Sequence, residues 1–287
     1  MDFNTPTKTI RIASLNFLNN PVFFENRLTT LIPTLSSLQP DVILMQEVLQ
    51  NKKDVLKEQL EELGYKYSSF GGVEPKKLSG NAIFSKFEIK NEEFLDFSHI
   101  SSLVEKPSFY IPTVIADIEF SGTKISLISS HFTWGFQNEA SRLLQAEEIS
   151  RYTEKRKNQD NDRIFILGGD LNASEHSATI QFLKGRGLSP SLYSTYWVDA
   201  WELHGNEGNW STTDPRLFWN KKTALSVGSL NPDFTPERRI DYLFSYGWCY
   251  GKVGYPYNFG RFGDTYTYDE YEISDHYGIF TDIVIKY

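Results

Sequence analysis

The sequence predicts a single α/β domain, residues 1–287, built on mixed β-sheets. Three observations point there. Short, almost wholly apolar runs such as Asp41–Glu47 and Arg163–Leu167 suit strands buried on both faces. Apolar residues spaced at threes and fours mark helices between them. Hairpin-like stretches interleave with both along the whole length, and no linker-like segment divides the chain.

Ile10–Leu15 reads as a strand ending at Asn16. Leu28, Leu31, Ile32, Leu35 and Leu38 trace a helix, and Pro33 inside that pattern predicts a kink or a later start. Pro40 closes it, and the strand Asp41–Glu47 then finishes on polar groups. Leu56, Leu60 and Leu63 mark a second helix stopped by Gly64. Asn81–Ser85, Thr113–Phe120 and Lys124–Ser130 are rich in β-formers, with Ser121-Gly122-Thr123 as a hairpin turn. Asn138–Lys157 is a long helix carrying Leu143, Leu144, Ala146 and Ile149. Arg163–Leu167 is a further strand, ended by Gly168-Gly169. After Ser189 the chain reads as irregular and aromatic until strands return at Ile240–Ser245 and Tyr277–Ile285.

A hydrophobic content of 40%, with 15% aromatics, supplies a large core and argues against disorder. Twenty-nine basic against 37 acidic residues leave a net charge of −8. Such a surface does not attract nucleic acid through a long-range field, which disfavours a tight, non-specific DNA-coating protein. It leaves room for an enzyme that holds a few phosphates locally. Cys249 is the single cysteine, so no intramolecular disulfide forms. Met1–Lys8 lacks the basic-then-apolar pattern of a signal peptide, and no apolar run approaches the ~20 residues that span a bilayer. The expectation is a soluble, cytoplasmic protein, secretion from a precursor being the open alternative, with no transmembrane segment and no obligate protein partner evident.

Four polar clusters lie at or near predicted strand ends: Asn16; Gln46-Glu47; Gly168-Gly169-Asp170-Leu171-Asn172; and Ser274-Asp275-His276. Singly, each reads as well as a turn or helix cap. Together they supply what phosphodiester hydrolysis needs. Oxygen ligands such as Glu47 can seat a hard cation, Asp170 can activate and align water, and His276, His131 and the amides of Asn16 and Asn172 can donate to the anionic transition state. A phosphate-binding Gly-rich loop ending in Lys-Ser/Thr is missing, as is any Cys/His cluster with zinc-site spacing.

The ordered segments Asn16, Gln46-Glu47, Ser129-Ser130-His131, Gly169-Asp170-Leu171-Asn172, Arg239-Ile240-Asp241 and Ser274-Asp275-His276 resemble the endonuclease/exonuclease/phosphatase superfamily over positions 10–280. The resemblance implies a four-layer α/β/β/α sandwich of two packed mixed sheets flanked by helices, with the site at one rim. It implies Mg²⁺, with Mn²⁺ as a substitute, ligated by Glu47 with Asn16 beside it and Asp275 near the metal. It assigns water activation to Asp170, phosphate contacts to Asn172 and His131, and donation from His276 to the scissile phosphate, with Asp241 fixing the His276 ring. His131 reads alternatively as a core histidine. Asn81, in a strand resembling one beneath the family's site, reads as a substrate contact or as a turn residue after Gly80.

Pro236-Glu237-Arg238-Arg239 departs from the inositol polyphosphate 5-phosphatase pattern, and Ser130-His131-Phe132 departs from the apurinic/apyrimidinic endonuclease pattern. Val198–Glu202 and Ser274–Gly278 are similar to the tyrosyl-DNA phosphodiesterase type, although Ser14-Leu15-Asn16-Phe17-Leu18 differs from that type's start. Aromatics crowd around Asp241: Trp197, Trp201, Trp210, Phe218 and Trp219 before it, Tyr255 to Tyr271 after it. As a loop, the latter segment either stacks bases through Tyr257 and Phe259 with Arg261 on a phosphate, or packs on itself. The expected substrate is therefore a nucleic-acid phosphodiester, DNA or RNA ends or single strands, with a small-molecule or sphingomyelinase-like lipid phosphodiester as the alternative.

Overall fold

The computed structural model describes residues 8–21, 23–72, 79–103, 111–187, 195–204, 211–213, 238–247, 253–264 and 271–286. In chain order its elements are β1 (Lys8–Asn16), α1 (Phe24–Leu38), β2 (Val42–Leu49), α2 (Lys53–Glu62), β3 (Tyr67–Gly71), β4 (Ser79–Ser85), β5 (Asn91–Leu95), β6 (Thr113–Phe120) and β7 (Thr123–His131). They continue with α3 (Glu139–Gln159), β8 (Ile164–Asp170), α4 (Ala178–Leu183), β9 (Val198–Asp199), α5 (Ala200–Leu203), β10 (Asp241–Tyr246), β11 (Pro256–Phe262) and β12 (Gly278–Lys286).

Strand side chains alternate between faces, and here both faces are apolar. Ile10 and Ile12 of β1, Val42 and Leu44 of β2, and Ile164 and Ile166 of β8 meet in one buried core. Their neighbours Ala13, Leu15, Ile43 and Met45 pack instead on Leu28, Leu31 and Leu35 of α1 and on Leu56 and Leu60 of α2. Phe165 and Leu167 turn the other way, onto Ala146 and Ile149 of α3 and Ile180 of α4. This makes four layers: helices, the six-stranded sheet β11-β12-β1-β2-β4-β3, the six-stranded sheet β5-β6-β7-β8-β10-β9, and helices.

Each sheet contains one parallel pair joined through a helix on its outer face, β1–α1–β2 and β7–α3–β8. The other pairings are antiparallel. The β6–β7 turn has positive φ at Ser121 (52°) and Gly122 (80°), the geometry that a two-residue hairpin turn favours.

Several expectations change. Helix α1 begins at Phe24 and runs through Pro33, so the later start is wrong; Pro33 lies on its exposed side, where a ring does not disturb the core. Gly168-Gly169 do not end the strand but lie inside β8, which continues to Asp170. The segment after Tyr255 is not wholly a loop: Pro256–Phe262 is an edge strand paired to β12. Strands β3 and β5, too short and polar for the apolar pattern, and helices α4 and α5 went unread. Trp210, Phe218, Trp219, Tyr266, Tyr268 and Cys249 lie outside the described residues.

Candidate active site

Parallel pairing brings the ends of β1 and β2 level, with Asn16 beside Gln46, and does the same for β7 and β8, with His131 beside Asp170. Antiparallel pairing starts β10 at that rim, with Asp241 opposite Asp170. It also starts β12 there, two residues after His276. The sheets are pinned together just below by Gln46, whose Nε2 donates to Ser129 Oγ (3.1 Å), while Ser129 Oγ donates to the Met45 carbonyl (3.1 Å). Six segments spread over 260 residues of sequence thus meet at one edge.

Local backbone aims the groups. Gln46 and Glu47 form a bulge in the β2–β4 pairing, and Glu47 has φ 59°, a left-handed conformation that turns its carboxylate to the rim. Gly169 (φ 153°) lies so close to the Ser130 carbonyl that an added Cβ would sit 1.8 Å from its oxygen. Glycine alone allows β8 to deliver Asp170 there.

Asp170, 2% exposed, accepts from the Asn172 N–H at Oδ1 (2.8 Å) and from Asn16 Nδ2 at Oδ2 (3.0 Å). The same Asn16 nitrogen donates to Glu47 Oε1 (3.2 Å), and the Asn19 N–H holds Glu47 Oε2 (2.8 Å). His131 Nε2 stands 3.4 Å from Asp170 Oδ2 and 3.9 Å from Glu47 Oε1. His276 Nε2 is 3.8 Å from the same Asp170 oxygen, while its Nδ1 meets Asp241 Oδ2 at 2.8 Å. Thr212 Oγ1 accepts from the Asp241 N–H (3.1 Å). A fixed carboxylate thus lies between two imidazoles, one of them oriented by a second carboxylate.

Burial alone would lower the pKa of His276, but Asp241, Asp170 and Asp275 together outweigh it and hold the imidazole well above its ordinary value. Asp241 and Asp275 are both raised, by burial first, with His276 opposing. A raised His276 stabilises the fold fully below the unfolded histidine value, about 6.5, and loses that contribution as pH rises through the folded value. His276→Ala should therefore cost more stability at pH 6 than at pH 10, compared by urea unfolding in EDTA. An equal cost at both would mean that the ring is not held protonated.

The endonuclease/exonuclease/phosphatase family profile matches residues 13–276. The chain belongs to this family. No curated protein sequence matches it. Among solved structures it is similar to D. rerio TDP2 complexed with single strand DNA product (21% identity, TM-score 0.74, covering 96% of this chain and 99% of that one). It is also similar to C. elegans TDP2 (16%, 0.75, 98% and 76%) and to an endonuclease/exonuclease/phosphatase family protein from Leptotrichia buccalis (19%, 0.64, 96% and 99%). At these identities the likeness is one of fold.

Asp170, Asp241 and His276 offer ligand atoms within 4.8 Å of one another, a group able to hold a cation. Glu47 and Asp275 are a second acidic pair: the charge of Glu47 adds to burial in raising Asp275. Behind them lies Arg27, 1% exposed, whose guanidinium donates to the carbonyls of Phe17 (2.6 Å), Ile273 (3.3 Å), Leu18 (3.2 Å) and Asn20 (2.9 Å). Burial lowers it to about 10, with Asp275 and Glu47 opposing. Arg27 staples the two segments that carry Asn19 and Asp275. It lies on α1 outside any motif, and only the oddity of a charge on the apolar face of a helix could have betrayed it in sequence. Arg27→Met should cost roughly 3 kcal/mol or more in urea unfolding, because buried carbonyls lose their donors.

Five sequence-predicted residues sit differently. Asn16 turns its nitrogen toward Glu47 and Asp170 while its oxygen accepts from the Leu18 N–H (3.1 Å), so it ties the two carboxylates together. Asn81 is fully buried across from the Glu47 bulge and donates to the Pro112 carbonyl (3.0 Å), under the site and out of reach of substrate. Arg261 is committed to Asp264 (3.0 Å), the Ser211 carbonyl (2.9 Å) and the Tyr277 ring, which leaves it no fork for a phosphate. Phe259 packs against the core between the sheets. Tyr257 is exposed, but β11 runs away from the rim: Phe262 pairs with Gly278, and Tyr257 lies five residues beyond, ~17 Å along an extended strand.

Proposed function

We propose that this chain is a divalent-cation-dependent phosphodiesterase acting on nucleic acid, at DNA or RNA ends or on single strands. The observation that carries the hydrolytic reading is Asp170, oriented by Asn16 and Asn172 and standing within 4 Å of both His131 and His276. Glu47 and Asp275 suit Mg²⁺, or Mn²⁺ in its place, better than the Asp170, Asp241 and His276 group does. A hard cation prefers oxygen ligands, whereas that group includes an imidazole already paired with Asp241. When bound, the cation neutralises charge on the phosphate oxygens.

Asp170 holds the attacking water in line and accepts its proton. The Asn172 side chain donates one of its two N–H groups to the Phe132 carbonyl (3.0 Å), which fixes the amide beside Asp170 and leaves its second N–H for the phosphate, together with the two imidazoles. His276 donates from Nε2 to the scissile phosphate, with Asp241 on Nδ1 setting ring and charge, and His131 Nε2 stabilises a second oxygen. The nucleic-acid part draws support from the D. rerio TDP2 structure, which was solved with a single strand DNA product.

The test is a substrate panel with Mg²⁺: single-stranded DNA, RNA, 5′-blocked ends, sphingomyelin and bis-p-nitrophenyl phosphate. Cleavage of oligonucleotides well above sphingomyelin supports the proposal. Cleavage of sphingomyelin alone replaces it with the lipid reading, and no cleavage even of the small ester ends the hydrolytic one.

A further inference from the structure

The segment after β7 leaves the site under tight control. Gln145 Oε1 accepts from the Thr133 N–H (3.0 Å), and Arg142 Nη1 donates to the carbonyls of Thr133 (2.9 Å) and Gly135 (2.7 Å). Asn138 Nδ2 donates to the Trp134 carbonyl (2.7 Å). These bonds fix the backbone yet leave Trp134 and Phe136 outward, 64% and 77% exposed. Exposed rings on a pinned backbone cost little conformational entropy when a ligand covers them. The segment adjoins the site, because the Phe132 N–H donates to the Asp170 carbonyl (2.9 Å).

Arg238 lies against the Phe136 ring, its guanidinium 4.9 Å from the centroid. Its backbone is clamped by Thr213, which also bridges to His276, so it is anchored to the same framework as the site. Every other described arginine has a carboxylate at salt-bridge distance or, for Arg27, four backbone carbonyls. Arg238 meets no carboxylate among the described residues, and its Nε is buried without a hydrogen-bond partner. Burial lowers its pKa, Arg142 lowers it further, and the charge of Asp170 raises it. A guanidinium kept half-buried beside a second cation and left without an anion is suited to an incoming one.

We propose that Arg238, Phe136 and Trp134 form a nucleotide subsite beside Asp170, the guanidinium taking the phosphate next to the scissile one and the rings stacking the adjoining base of an unpaired strand. The proposal rests on the nucleic-acid reading above. It explains how a chain of net charge −8 engages a polyanion: the binding charge is local.

The test uses the full chain and a fluorescent single-stranded DNA oligonucleotide, with affinity measured by anisotropy in EDTA over a salt series and KM measured with Mg²⁺. Arg238→Gln should weaken binding and reduce the slope of log K against log salt by about 0.7, the value of one single-strand phosphate contact. Arg238→Lys should restore the slope. Phe136→Ala and Trp134→Ala should each weaken binding about 5- to 100-fold, with little change in slope. Each variant should lose at least ten times more on the oligonucleotide than on bis-p-nitrophenyl phosphate. The subsite is overturned if the wild type binds the strand and Arg238→Gln keeps both slope and affinity. It is overturned equally if the variants lose both substrates alike with a lowered melting temperature. A wild type that cleaves the small ester but neither binds nor cuts the strand overturns the nucleic-acid reading first, and the subsite with it.

Discussion

Replacing Asp170 by Asn should lower kcat on oligonucleotides by about 10²-fold or more, the usual scale for a positioned acid–base group. The change is nearly isosteric, so circular dichroism should be unaltered. Its chemical effect is specific: one oxygen becomes an NH₂, which removes the negative charge and an acceptor from beside the Asn16 amide and the two imidazoles. His276→Ala should cost a similar factor, because it removes a cationic donor whose charge is sustained by Asp241 and Asp170. The two losses should not multiply. His276 Nε2 and Asp170 Oδ2 are 3.8 Å apart and face the same space, so each group works only while the other is present. Single-turnover rates of both single variants and the double variant decide the matter, and a fully multiplicative double variant would falsify shared action.

Removing the cation seat should have an effect of the same order. Glu47→Gln keeps the side-chain length and an acceptor for the Asn19 N–H, so the bulge at Gln46-Glu47 should survive and melting should change little. What disappears is one negative charge beside Asp275. Turnover should fall by most of its value at sub-millimolar Mg²⁺ and recover only in part as Mg²⁺ is raised, since a weakened seat is filled by mass action. The thermal shift that Mg²⁺ gives the wild type should shrink in the variant, a readout independent of activity. Full wild-type activity in EDTA would sink the requirement for a cation.

The long apolar strands were readable because the apolar residues of β1, β2 and β8 face a core on both sides of their sheet, and no partner is needed to see that pattern. Residues at strand ends were readable for a related reason: Glu47, His131, Asp170 and His276 interrupt apolar runs with groups that a core does not tolerate. Strand β11 was not readable. Its residues alternate poorly, and it becomes a strand only because β12 presents a free edge to it.

The sequence by itself determined an α/β protein with mixed sheets, since periodicity is a local property of the chain; the order of its motifs carried the family resemblance, which implied the four layers and the acidic and imidazole groups at the rim. The tertiary structure decided which polar residues serve the rim and which serve the interior. Asn81 and Asn16 are the same residue type at similar places on neighbouring motifs. One is sealed beneath the bulge on the Pro112 carbonyl; the other bridges two carboxylates 31 and 154 residues away. Arg261 and Arg238 both flank aromatic sequence, yet Asp264 consumes the first and no carboxylate among the described residues pairs with the second. The physical reason is the same in each case. A polar side chain takes its role from the partners that packing brings to it, and those partners come from distant strands whose register exists only once the two sheets have closed on each other.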